Sequence, residues 1–368
     1  VGTGLYFANQ NTSGKTISEK TSQKLDYINK LIDAKFLNKV NESDLEDGIY
    51  KGLLEGLNDP YSVYYTAEEY RKMMEQTSGT YSGIGALVSQ NAETGIITVV
   101  KAFADAPAAK AGVKNGDIIY KVKGKEVTGV DINNVVTEMK GEKGTTVDIT
   151  VYRESEKKYI DFTITRDQVN EPTVEYKMLD KKKKIGYIQI GQFEEVTYDQ
   201  FTKALDDLKK QGMKAVIFDV RSNPGGLYET VCKMLDEILP EGNLVSTKDK
   251  YGNEEKQTSD SKCLEMPMVV LQNKDSASAS EIFAGAIQDF NAGKIVGTQS
   301  FGKGIVQTIL PLSDGSAVKL TVQDYYTPSG KNIHGKGITP DVEAELEENA
   351  TSDTQLEKAK ETIMELMK

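Results

Sequence analysis

Ser278 and Lys303 are the two residues of this chain whose types and surroundings point most directly to chemistry. Ser278 stands in the run Ser276-Ala277-Ser278-Ala279-Ser280-Glu281-Ile282, and Lys303 in Ser300-Phe301-Gly302-Lys303-Gly304. A hydroxyl nucleophile needs a base, most often histidine. The chain has one histidine, His334, in a Gly/Lys-rich stretch near its end, so a Ser-His-Asp triad would have to use it. A serine/lysine dyad needs no histidine. Only a neutral amine can take the serine proton, and a lysine buried among apolar neighbours such as Phe301, Ile305 and Val306 loses solvation, which lowers its pKa. Gln307, four residues on, could orient that amine without recharging it; in a strand, positions 303 and 307 would face the same side.

The elements around these residues have to present them. Met266–Leu271 reads as a strand, Asn273-Lys274-Asp275 as a turn, and Ser278–Phe290 as a helix. A serine at a strand-to-helix turn is exposed beside free N–H groups and the positive end of the helix dipole, which favour an alkoxide and an oxyanion. Taken by itself the run also fits an N-cap, with Ser278 and Glu281 forming a capping box. Arg221-Ser222-Asn223-Pro224-Gly225-Gly226 likewise follows a strand, Ala215–Val220, and opens a helix ending near Pro240. Its Gly-Gly turn lets backbone amides approach a ligand closely. It lacks the Gly-Lys-Ser/Thr ending of a nucleotide loop.

Further out, Leu25, Ile28, Leu31, Ile32 and Phe36 share a helical face, and Leu45, Ile49, Leu53 and Leu54 share another. Asp59-Pro60 is expected to end that second helix. Glu68–Glu75 reads as a third. Beyond Tyr81 the chain turns β-rich: strands near 84–88, 96–100, 118–122 and 147–152, a short helix from Pro107 to Ala111, and a helix capped by Asp131. From Ile185 strands and helices alternate, with Thr197 and Gln200 read as a capping box opening a helix to Lys210 and a hairpin turning at Asp314-Gly315. Such alternation implies a layered α/β core. The expected division is 1–20 linker or anchor remnant, 21–79 helical region, 80–168 β-rich module, 169–346 α/β core and 347–368 helical tail.

Composition narrows the function. A globular chain of 368 residues with 38% hydrophobic residues and a net charge of -11 lacks the basic face that nucleic acid requires. Cys232 and Cys263 form no disulfide framework and have no metal-ligand spacing. No stretch reaches the roughly 20 apolar residues of a membrane span. The opening Val1-Gly2-Thr3-Gly4-Leu5-Tyr6-Phe7 could be the end of a removed signal or anchor. Amphipathic helices near both ends could form a homodimer.

Together these motifs resemble the carboxy-terminal processing peptidases, PDZ-containing serine proteases also called tail-specific proteases. Ser278 to Ile282, Lys303 25 residues on and Gln307 after it carry the resemblance. So do Leu57-Asn58-Asp59-Pro60-Tyr61-Ser62, Asp219–Gly226, Thr327-Pro328-Ser329-Gly330 and Gly337-Ile338-Thr339-Pro340-Asp341. Val220 stands where the family usually has Leu, and Ser222 where it usually has Asn. The resemblance implies Ser278 as nucleophile, Lys303 as general base, Gln307 as its support, and the amides of Gly226 and Ala279 as oxyanion hole, with His334 a bystander and no metal, nucleotide or other cofactor. It implies a crotonase/Clp-protease-like α/β core carrying a PDZ domain whose carboxylate loop is Gly83-Ile84-Gly85-Ala86. Substrates would be proteins or peptides with exposed carboxyl ends, cut beside small apolar residues outside a bacterial cytoplasm. Two other readings are a PDZ-based scaffold with an inactive hydrolase core, and another Ser/Lys hydrolase such as an amidase.

Overall fold

The computed structural model describes residues 17–347 and 352–368, so the expected linker or anchor remnant falls almost wholly outside the described residues. Residues up to Gly56 form one compact unit and Leu57–Lys368 another. The first holds α1 (Glu19–Lys35), capped by the Ser18 hydroxyl, and α2 (Glu42–Glu55), capped by Asn41. Tyr27, Ile28, Leu31, Phe36 and Leu37 are exposed on or just after α1. Helix α2 stops at Glu55, before Asp59-Pro60. Two glycines at its end, Gly52 and Gly56, weaken it before proline can act.

The larger unit begins with β1 (Val63–Tyr65) and α3 (Ala67–Ser78), which is closed by a Thr66/Glu69 capping box and a left-handed Gly79. The β-rich module follows: β2 (Thr80–Gly83), β3 (Ala86–Gln90), β4 (Ile97–Ala102), α4 (Pro107–Ala111), β5 (Ile118–Val122), β6 (Lys125–Glu126), α5 (Ile132–Met139), β7 (Thr146–Arg153), β8 (Lys158–Thr165) and β9 (Asp167–Asn170). Its sheet runs β3-β4-β5-β7-β8, which leaves β3 at an edge, while β2 and β9 pair as the ribbon entering and leaving the module. A separate core of β-branched residues, among them Ile97, Val99, Ile119, Val147 and Ile149, fills it.

The remaining elements are β10 (Val174–Asp180), β11 (Ile185–Ile190), α6 (Thr197–Lys210), β12 (Ala215–Asp219), α7 (Tyr228–Asp236), β13 (Gly242–Asp249), β14 (Glu254–Ser259), β15 (Met268–Gln272), α8 (Ala279–Asp289), β16 (Gly293–Gly297), β17 (Ile305–Pro311), β18 (Ala317–Tyr326), β19 (Val342–Glu343) and α9 (Thr354–Leu366). The central sheet is ordered β10-β11-β12-β15-β16-β19 and is parallel from β11 onward. Its strands read as continuous apolar runs because both faces are covered. Phe193, Phe201, Phe218 and Phe283 interlock on one face, between the sheet and α6, α7 and α8. Helix α9 covers the other, burying Ala359 and Ile363 against Ile217, Val269 and Leu271. A second sheet, β1-β18-β13-β14 with β17 on β18, stands beside the first.

Two sequence expectations change. Thr197 and Gln200 form no capping box: Val196 holds the cap position of α6 without a side-chain bond. The Thr197 hydroxyl donates to Gln192 O and accepts from Glu194 N–H, and Gln200 Oε1 takes the amides of Thr173 and Val174. Lys303 and Gln307 do not share a face by strand alternation, because β17 starts only at Ile305 and its register slips between Val306 and Gln307. The tail helix α9 packs Ala359 and Ile363 of its apolar face on the central sheet.

Candidate active site

The parallel strands β12 and β15 end side by side, and the loops beyond their carboxyl ends build the site, where open α/β sheets place their ligands. After β15 the chain turns through Asn273–Ala277 into α8. Three serines alternate through that turn, and their surroundings differ. Ser276 is 1% exposed; its hydroxyl donates to Val220 O at 2.8 Å and accepts from Asn273 N–H at 2.9 Å. Ser280 is 0% exposed, with its hydroxyl on Asn223 O at 2.9 Å. Ser278 is half-buried and lines a cavity of about 960 Å³. Its backbone sits at φ 57, ψ -115, in the positive-φ region that non-glycine residues rarely adopt. A nucleophile held on a sharp strand-to-helix turn takes such a conformation, which lifts its side chain clear of the helix.

The glycine loop after β12 closes on this turn. Buried Asn223 stitches the two together: its side chain accepts Gly225 N–H and donates to Ile190 O, and its carbonyl accepts Ala277 N–H. At Gly225 (φ 108) a Cβ would lie 2.9 Å from Ser278 Cβ and 3.0 Å from Ala279 N. At Gly226 it would lie 2.2 Å from Phe193 O. No side chain fits at either position, so the Gly225 backbone packs directly against the serine turn and that of Gly226 against Phe193.

Glu281 holds the other half of the site. It is 0% exposed, and its carboxylate accepts four bonds: Ser278 N–H at 2.9 Å and Lys303 N–H at 2.8 Å on Oε2, Gly302 N–H at 2.7 Å and the Ser300 hydroxyl at 2.6 Å on Oε1. One side chain therefore joins the serine turn to the lysine loop. The sequence reading assigned Glu281 only to capping. The missed signal was the Ser300-x-Gly302-Lys303 loop, whose amides need an acceptor once it is buried.

Lys303 lines the same cavity as Ser278, together with Gln307, Gly226 and Ala279. Burial pushes its amine below the usual lysine value, and Lys319 acts in the same direction; Asp59 and Glu281 oppose it. The Gln307 amide donates to Thr321 Oγ1 at 3.4 Å. Phe193, Ile282, Ile305 and Tyr325 give the cavity an apolar wall. Glu194, 4% exposed, also lines it; burial and the nearby Glu171 raise its carboxyl to about 7. His334 is exposed and is not among the cavity's lining residues; its Nδ1 accepts Gly304 N–H at 3.4 Å. Cys232 and Cys263 are both free thiols.

In the β-rich module, Ile84 and Ala86 line a groove of about 260 Å³ between β3 and α5, whose far wall includes Ile132, Val136 and Met139. Gly83 and Gly85 do not line it. Gly85 (φ 75) sits where a Cβ would meet that of Ala106 at 2.3 Å, so its part is to pass the backbone close to α4.

Comparison with known proteins places these parts. Residues 184–344 match the model of peptidase family S41, 82–164 that of a PDZ domain, and 6–69 that of the N-terminal domain of the activating protease CtpB. A probable CtpA-like serine protease of Staphylococcus epidermidis is 38% identical over 324 residues, covering 87% of this chain and 65% of that protein. One from Staphylococcus aureus is 37% identical over 341 residues, covering 91% and 67%. The chain thus spans about two thirds of the length of these curated relatives. Among solved structures, the photosystem II D1 C-terminal processing protease aligns at a TM-score of 0.52 and 28% identity, covering 94% of this chain and 91% of its own. A putative S41 protease from Bacteroides fragilis aligns at 0.56 and 16% identity over 86% and 90%, a likeness of fold alone. Among the described residues no helix is long and apolar enough to cross a membrane. On sequence identity across nearly its whole length, and on a fold that pairs an α/β core with a PDZ module, this chain belongs to peptidase family S41.

Proposed function

We propose that the protein is a serine endopeptidase in which Ser278 and Lys303 form the catalytic dyad. One observation carries this reading. Of three serines in the turn, only Ser278 lines the cavity, and the cavity also holds a lysine whose amine is pushed toward neutrality. Neutral Lys303 takes the proton from Ser278 Oγ as that oxygen adds to the scissile carbonyl. The oxyanion is met by the amides of Gly226 and Ala279, the second at a helix start where the dipole favours negative charge. The Lys303 ammonium returns the proton to the leaving nitrogen as the C–N bond breaks. Water, giving its proton to the regenerated amine, then hydrolyses the ester. Gln307 is assigned the support of Lys303, acting from its bond to Thr321.

The proposed division of labour follows the chain: a helical region at 21–79, a PDZ domain at 80–168, the peptidase core at 169–346 and a tail helix from 347. Edge strand β3 and the groove beside it suit a peptide added as a further strand, with Ile84 and Ala86 at its carboxyl end. Substrates are then proteins with accessible carboxyl ends, met outside a bacterial cytoplasm. A fluorophosphonate probe tests the nucleophile. Wild-type protein should take up one equivalent, on the peptide containing Ser278, and Ser278→Ala none. Labelling that maps to Ser276 or Ser280 would overturn the assignment.

A further inference from the structure

The segment Asp59–Tyr65 precedes the PDZ module in the chain yet packs into the peptidase core, where β1 pairs with β18 and sets Val63 opposite Lys319. Its fold is set locally. Pro60 restricts the backbone. Asp59 accepts Tyr61 N–H at 3.1 Å on Oδ1 and the Ser62 hydroxyl at 2.6 Å on Oδ2. Ser62, 5% exposed, in turn accepts Thr321 N–H at 3.0 Å. This lattice leaves the Tyr61 ring against Lys303, with Nζ 4.6 Å from the ring centroid. Thr321 also takes the Gln307 amide on its hydroxyl. The same short segment therefore reaches both residues that attend the proton transfer.

From this packing we infer that Tyr61 is a positioning residue for the dyad, its ring face forming the seat on which the Lys303 amine receives the serine proton. The inference rests on the dyad reading above and adds to it a group that no motif assigned. An aromatic face suits the task better than a carboxylate. A carboxylate in contact would hold the lysine protonated and useless as a base. A ring carries no charge, holds the neutral amine by contact, and attracts the ammonium as it forms. The attraction is then strongest once the proton has left the serine, so the ring favours the transition state over the ground state. The charged groups facing Lys303 are Lys319 on β18, Asp59 in this segment and Glu281 on α8.

The test replaces Tyr61 by Phe, by mono-, di- and trifluorinated phenylalanine, and by Leu, and follows cleavage of one short peptide against pH. Fluorination keeps the shape and drains the ring's negative face, so folding is not at issue. Tyr61→Phe should stay within about threefold of wild type. Along the fluorinated series the plateau should fall and the acid limb should move to lower pH, by roughly half a unit to one and a half units in all, because the ammonium loses its partner. Tyr61→Leu should lose about tenfold or more. A flat fluorinated series, or Tyr61→Phe as poor as Tyr61→Leu, would overturn the seat while leaving the dyad in place. Full activity in Lys303→Ala would remove the dyad and the seat with it.

Discussion

Two residues decide how the site behaves once the nucleophile is in place. Glu281 has two oxygens for four donors, and every donor lies on the serine turn or the lysine loop. Glu281→Gln puts an amide NH₂ where an acceptor is needed. We expect a stability loss of about 1–3 kcal/mol, the cost of a buried unmet donor, and turnover at least tenfold down. Thermal melts and single-turnover acylation check this; wild-type turnover would show that the two loops hold their places unaided. In the proposed dyad, Lys303 sets the pH response. Its amine is depressed by burial and by Lys319, and only the neutral form is a base, so activity should rise with pH through a limb below the ~10.4 of free lysine. Lys319→Met removes a like charge, stabilises the ammonium and should move that limb to higher pH. A limb that stays put, or moves down, would take Lys319 out of the account. Ser278 and Lys303 stand out in the sequence as candidates because their Ser- and Gly-rich settings are unusual. Which serine faces the cleft could not be read from the residues alone, since it depends on Val220 O and Asn223 O claiming Ser276 and Ser280.

Elements carry the site because their ends converge. Strands β12 and β15 deliver the glycine loop and the serine turn together; each strand was legible as an apolar run, but their pairing was not. Gly226→Ala should show how tightly they meet. A Cβ there would lie 2.2 Å from Phe193 O, and the residue sits at φ 144. We expect a loss of about 1–3 kcal/mol, typical of strain at such a backbone position, with turnover falling further than stability alone explains. Denaturant unfolding and turnover of the same sample decide it; a variant equal to wild type in both would mean the loop is not in close contact. Helices α4 and α5 followed from Pro107, Gly112 and Asp131, residues that act through their own backbone. Local patterns failed where tertiary partners intervened. Thr197 and Gln200 look like a cap but serve loops from other elements. The 303/307 parity failed because a bulge falls between them. Strands β13 and β14 carry polar residues such as Lys248, Glu254 and Lys256 and show no alternation that periodicity could find.

At the scale of the molecule, the PDZ module and the peptidase core are built on separate hydrophobic cores. If β3 and its groove hold substrate carboxyl ends, amidating that end should raise KM or slow activation for a tethered protein substrate, and leave a short peptide unaffected. Equal rates for free and amidated ends at sub-saturating concentration would show that the module does not read carboxyl termini. The helices at the two ends of the chain differ: α9 spends its apolar face on the central sheet, while α1 leaves Tyr27, Ile28 and Leu31 exposed. The central claim, a peptidase that works through Ser278 and Lys303 without histidine, is met most directly by one comparison. Cleavage of an unfolded protein such as casein is followed for wild type, Ser278→Ala, Lys303→Ala, the double variant and His334→Ala, all with matched melting temperatures. The account predicts no cleavage by the first three variants, with the double no worse than either single because the dyad acts as a unit, and near wild-type cleavage by His334→Ala. Full activity in Lys303→Ala, or a loss of about a hundredfold in His334→Ala, would contradict it.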